Sequence, residues 1–188
     1  ILTKNKYLLQ EIHNTSFFYF GSTFIQNSDK IDLQKKNMAS LIASNQNKLT
    51  GHKLRHEVVQ HIKNNNFNVS VIGRGYRPFE NKEDGLKSYR YSIVIENTSE
   101  LDYFTEKVID ACLLETIPIY WGAPNISKYF DTRGFIVCEN IDQILQAIRT
   151  ISIDDYNSKV EWIMKNKVKA AYHANCFKRA AQVIRSSL

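Results

Sequence analysis

At 188 residues the chain has the length of one ordinary domain, enough to bury a sizeable core. Hydrophobic residues at 43% and aromatics at 12% exclude disorder as the default, and no run approaches the ~18 apolar residues of a membrane-spanning helix. A formal charge of +6 suits an anionic ligand or surface, but no basic motif interleaved with aromatics marks a nucleic-acid module, so nucleic acid is not the expected partner.

Residues 1–32 are polar around one aromatic run, Phe17-Phe18-Tyr19-Phe20, and read as a partial N-terminal region or connector. Residues 33–188 read as one Rossmann-like domain. Met38–Ala43 (MASLIA) is an apolar run suited to a buried parallel strand, ended by the turn-forming Ser44-Asn45-Gln46-Asn47. His52–Asn65 follows as a helix, with Leu54, Val58 and Ile62 on one stripe. Asn68–Ile72 is a second strand, closed by Gly73-Arg74-Gly75, and residues 76–88 read as a charged loop.

The central strand Tyr91–Ile95 precedes a helix over Tyr103–Glu115 and a strand over Ile117–Trp121. A short helix over Asn125–Phe130, a strand over Phe135–Cys138 and a helix over Ile141–Ile151 come next. From Tyr156 onward the apolar spacing is helical. Strands alternating with helices predict an α/β fold, a Rossmann-like parallel sheet flanked by helices.

The chemistry concentrates between Tyr89 and Gly122. Glu96, Asn97, Tyr103, Glu106 and Lys107 gather where the central strand gives way to its helix, the edge at which open α/β sheets bind ligands. Lys107 falls in the first helical turn, where the macrodipole already favours an anion. Carboxylates and a phenol beside a cation suit a phosphorylated ligand rich in hydroxyls, such as a sugar nucleotide.

The same stretch resembles glycosyltransferase family 10, the α1,3/1,4-fucosyltransferases. Tyr89–Thr98 (YRYSIVIENT), Asp102–Lys107 (DYFTEK) and Ile117–Gly122 (IPIYWG) match in order and spacing the family runs Y-[KR]-F-x-[IL]-x-F-E-N-S, D/G-Y-[VF]-T-E-K and V/I-P-[VI]. The resemblance is clearest from about Lys35 to Phe135 and implies the C-terminal, donor-binding half of a GT-B glycosyltransferase. It implies inverting transfer of L-fucose from GDP-fucose to an acceptor glycan, without a metal cofactor. The general base is then expected outside this chain, so no catalytic residue is assigned and the chain alone is expected to turn over weakly or not at all. Another nucleotide sugar on the same fold, or a non-catalytic carbohydrate- or nucleic-acid-binding module, are the alternatives.

For the donor site the resemblance selects Arg55, whose guanidinium can fork two phosphate oxygens; the alternative is a solvated helix residue beside Glu57. Lys107 is either a phosphate partner or a surface lysine paired with Asp110 or Glu106. Glu106 is a hydroxyl acceptor or simply a favourable first-turn acid, and Tyr103 joins it at the same mouth. Glu96 is functional or an anchor of its loop, Asn97 a ligand contact or a turn-fixer, and Asn45 a nucleotide contact or a turn residue. Gly73 permits a close backbone approach, while Arg74 reads as solvated. His52 and His56 share one helix at metal-like spacing but lack a third ligand.

Cys112, Cys138 and Cys176 are odd in number and far apart; all three are expected reduced and two of them buried. That suits a reducing compartment, cytoplasmic or on the cytoplasmic face of a membrane. The chain begins at Ile1 without an initiator Met and reads as a fragment, with any targeting signal unseen. The C-terminal Lys159, Lys165, Lys167, Lys169, Lys178, Arg179 and Arg185 form either a membrane-contacting face or the wet side of a helix.

Overall fold

The computed structural model describes residues 1–186. Ahead of the main sheet lie β1 (Leu2–Thr3), α1 (Lys6–Glu11) and β2 (Ser16–Phe17), with β1 and β2 paired in parallel. The main body follows as β3 (Asn37–Ile42), α2 (Thr50–Asn64), β4 (Val69–Ile72), β5 (Tyr89–Ile95), α3 (Glu106–Leu113), β6 (Ile117–Trp121), β7 (Ile136–Val137), α4 (Ile141–Thr150), α5 (Ile153–Ser158), α6 (Val160–Ala174) and α7 (Cys176–Ser186). Five strands form one parallel sheet in the order β4-β3-β5-β6-β7.

Parallel strands covered on both faces must be apolar on both faces. Ala39, Leu41, Tyr91, Ile93, Ile117 and Ile119 point into one layer with Val58 and Val59 of α2 and Ile144 and Ile148 of α4. Val94 and Tyr120 point into the other, with Val108, Ile109 and Cys112 of α3 and Ala170 of α6. Cys112 and Cys138 are buried and all three cysteines are free.

The connection from β4 to β5 departs from this pattern. It contains only a short 3-10 turn, Lys82–Gly85, where a covering helix would normally lie. The turn is held to the sheet by Ser40, whose buried hydroxyl donates to Gly85 O at 2.7 Å and lies 3.2 Å from Ser92 Oγ. Without a helix to fill it, the space beside the β3 and β5 ends stays open.

Both ends of one helix differ from the sequence expectation. The helix expected from Tyr103 to Glu115 is α3, which runs only from Glu106 to Leu113. Thr105 takes the N-cap, its hydroxyl accepting Lys107 N–H, while Asp102 and Glu115 adopt left-handed backbone (φ 59° and 55°) outside the helix. Tyr103 therefore belongs to a loop.

Within residues 1–32, Tyr19, Thr23, Phe24 and Ile25 pack on the domain. Tyr19 lies among Phe104, Tyr129 and His173, and its hydroxyl is 2.8 Å from His173 Nδ1. Arg179 is buried, donates to Tyr19 O, Gly21 O and His173 O, and so leaves the basic C-terminal face it was assigned to. Lys159, Lys165 and Lys167 are paired with Asp155, Glu161 and Glu115. Among the described residues no helix is long and apolar enough to cross a membrane.

Candidate functional site

The strand order places a topological switch point between β3 and β5, because the chain leaves β3 toward β4 on one side and returns to β5 on the other. Ligands of open α/β sheets bind in the crevice beyond the strand ends at that point. There the structure has a cavity of about 280 Å³ lined by Ala43 and Ser44 after β3, Ile95 at the end of β5, Arg55, Gly73, Arg74, Phe79, Lys82, Leu86, Glu106 and Lys107. Four cations and one carboxylate thus share one concave surface, above a floor of Ile42, Leu86 and Val94.

Two glycines bring the backbone together here. A Cβ on Gly51 would lie 1.8 Å from Glu96 O, so only glycine lets the start of α2 touch the end of β5, where Gly51 N–H donates to Asn97 O at 3.0 Å. Gly73 has φ +125°, and a Cβ there would lie 2.0 Å from Ala43 O. The close approach expected of Gly73 is present, and it forms the cavity wall.

Glu96 is fully buried and is an anchor. Its oxygens accept Thr105 N–H at 2.9 Å and Thr105 Oγ1 at 2.7 Å, and Lys107 Nζ stands 3.3 Å away. These contacts fix the start of α3 and aim Lys107. Lys107 also donates to Thr105 Oγ1 at 2.9 Å and lies 3.6 Å from Glu106 Oε1. Its partners are Glu96 and Glu106, and it lines the cavity rather than open surface.

Arg55 is not a solvated residue beside Glu57. It is 6% exposed and donates through one guanidinium nitrogen to Ile95 O at 2.9 Å and Asn97 Oδ1 at 3.2 Å. Burial lowers its pKa, with Glu96 and Glu106 opposing that shift. Asn97 thereby holds Arg55. Glu106 is pushed up by burial, but Lys107 and Lys82 outweigh that effect and hold its carboxyl below the usual range, so it stays an ionised hydroxyl acceptor at neutral pH.

Two expected members lie apart. Tyr103 opens onto a neighbouring groove of about 440 Å³ with Lys4, Phe18 and Phe20, and Lys4 Nζ sits 5.0 Å from its ring centroid. Burial raises the Tyr103 pKa, with Glu96 and Glu106 adding to it, so the phenol remains a neutral donor. Asn45 lines a different groove with His56, Gln60 and Tyr76. His56 is engaged by Tyr76 Oη at 2.9 Å and Gln46 O at 2.8 Å.

The sequence reading missed Lys82 and Phe79 and gave Arg74 to solvent. Arg74 is exposed yet lines the cavity. All three belong to the irregular β4–β5 connection, where no periodicity marks an inward-facing residue. Thr105 was also missed, although its place one residue before an acidic first turn is an N-cap signal.

The family model for the glycosyltransferase family 10 (fucosyltransferase) C-terminal region matches residues 33–184. The chain belongs to glycosyltransferase family 10. The α-(1,3)-fucosyltransferase of Helicobacter pylori is 34% identical over 122 residues, covering 64% of this chain and 25% of that protein. A fucosyltransferase-like protein of Arabidopsis thaliana is 22% identical over 139 residues, covering 69% of this chain and 27% of its own length. A crystal structure of an α1,3-fucosyltransferase with GDP-fucose superposes with a TM-score of 0.56 at 30% identity, over 70% of this chain and 40% of that one. The same enzyme class solved with GDP gives 0.55 at 29% identity over the same shares. The chain thus spans about a quarter of the length of these two relatives, and its sheet corresponds to the C-terminal half of the family 10 fold.

Proposed function

We propose that this chain is the donor-binding domain of a fucosyltransferase that passes L-fucose from GDP-fucose to a hydroxyl of an acceptor glycan with inversion. The observation that carries the reading is the cavity at the switch point, where Arg55, Arg74, Lys82 and Lys107 converge with one ionised carboxylate. A family 10 relative solved with GDP-fucose superposes on this sheet. In the reaction, negative charge grows on the leaving nucleoside diphosphate, and preorganised cations in a half-closed site stabilise it. Arg55 and Lys107 supply that charge from the chain itself, so the reading calls for no metal. Glu106 accepts hydroxyls of the ribose or the fucose, and Gly73 lets the backbone approach the ligand.

Inversion also needs a base for the acceptor hydroxyl. Family resemblance gives that role to a carboxylate of the acceptor side, and none is assigned within this chain. Any contact with an anionic membrane falls to the exposed Lys169, Lys178 and Arg185, since the other basic residues of this face are paired or buried; cosedimentation with phosphatidylserine vesicles tests it.

Calorimetric titration with GDP, GDP-fucose, GDP-mannose and UDP tests the reading. GDP and GDP-fucose should bind in preference to UDP, and Lys107→Met should weaken GDP about tenfold. Equal binding of UDP and GDP would contradict the donor assignment, and fucosyl transfer by the 188-residue chain alone would contradict the missing base.

A further inference from the structure

Lys82 lies outside the runs Tyr89–Thr98, Asp102–Lys107 and Ile117–Gly122 that carry the resemblance, yet it is among the most elaborately held side chains of the cavity. It enters from the 3-10 turn between β4 and β5, and its side chain is 17% exposed. Its ammonium lies 2.9 Å from Asp110 Oδ2, 3.7 Å from Glu106 Oε1 and 4.8 Å from the ring centroid of Phe24. Asp110 is itself fully buried, and its other oxygen accepts the Thr23 hydroxyl and Phe24 N–H. A lysine on an irregular charged connection is ordinarily solvated and mobile. Here two elements distant in sequence, residues 23–24 and α3, are joined to hold one.

The position of Glu106 shows what that arrangement offers. A single carboxylate oxygen, Oε1, sits 3.7 Å from Lys82 Nζ and 3.6 Å from Lys107 Nζ. The two ammonium groups thus face the same part of the cavity wall, where a phosphate oxygen beside Glu106 can meet both. Lys82 lines the same cavity as Arg55 and Lys107, its side chain only 17% exposed.

We propose that Lys82 is a phosphate ligand of the donor site, contacting the second phosphoryl group of a nucleoside diphosphate, and that Asp110, braced by Thr23 and Phe24, positions it. This inference rests on the donor-binding reading and adds to it a basis for choosing diphosphates over monophosphates. It also gives Thr23 and Phe24 a part in ligand binding, through Asp110, without any contact to the ligand.

The test compares GDP and GMP binding to the unaltered chain, Lys82→Met and Lys82→Arg, each first checked for an unchanged thermal melt. Methionine keeps an unbranched apolar stem and removes the charge. Lys82→Met should lose about tenfold in GDP affinity and less in GMP affinity, narrowing the preference, while Lys82→Arg retains it. In parallel, reductive methylation of the unaltered chain, read by mass spectrometry, should slow at Lys82 when GDP is present and not at the exposed Lys165. A folded Lys82→Met that binds GDP as the unaltered chain does, or equal methylation of Lys82 with and without GDP, overturns the inference. Should Lys82→Met fail to fold, the methylation result decides. If the unaltered chain binds no GDP, the donor reading and this inference fall together; if it binds GDP and Lys82 is indifferent, only this inference falls.

Discussion

Three donors converge on Glu96, a carboxylate with no exposed surface. Glu96→Ala would leave Thr105 N–H and its hydroxyl without their acceptor, and it should cost about 2 kcal/mol or more in urea denaturation; an unchanged midpoint would show that the contacts are incidental. Lys35 is a half-buried residue whose charge can be tested. Its ammonium donates to Leu86 O, Leu114 O and Thr116 Oγ1, yet burial lowers its pKa to about 7, Glu115 opposing and Arg90 and Lys167 adding to the shift. Between that value and the usual 10.5 the unfolded chain holds a proton that the folded chain has lost. Stability should therefore rise with pH across this window, by up to about 1.4 kcal/mol per pH unit from this group. Lys35→Met should flatten that slope, measured as denaturation midpoints from pH 7 to 10; an unaltered slope would contradict the shift. Glu106 and Lys107 could be placed at the cavity from the sequence because they open a patterned helix after a patterned strand, whereas Arg55, inside α2, was picked out only by the family resemblance. Lys82 was not legible, because only tertiary contacts with Asp110 and Phe24 turn it inward.

At the scale of elements, the irregular β4–β5 connection decides where a ligand can sit. A regular crossover helix would cover the sheet face that Ile42 and Val94 now present to the cavity. Gly73, which opens this connection, is the position where substitution should be least tolerated. Gly73→Ala combines a left-handed backbone with a clash against Ala43 O, and a loss of about 1–3 kcal/mol is expected by thermal or urea unfolding; wild-type stability would show that the backbone relaxes without cost. The five strands of the main sheet and α2 were legible to within two residues, since buried parallel strands are short apolar runs, whereas β1 and β2 were not expected. The start of α3 was placed three residues early, at Tyr103, because the local cap signal of Thr105 before Glu106 was passed over.

Across the whole molecule, alternation of strands and helices was enough to read an α/β fold, whereas the order β4-β3-β5-β6-β7 was not readable, because right-handed crossovers of similar length can lead to several orders. The docking within residues 1–32 was equally hidden: Tyr19 and Ile25 enter the core singly, without periodicity. The strand order matters most for function, because it creates the switch point at which the cations meet. The most direct measurement is therefore a backbone amide NMR titration with GDP. The account predicts the largest shifts at Ser44, Gly73, Arg74, Glu106 and Lys107, around the cavity between β3 and β5. Shifts centred on His56 and Tyr76 in the groove that holds Asn45, or none at all, would contradict it.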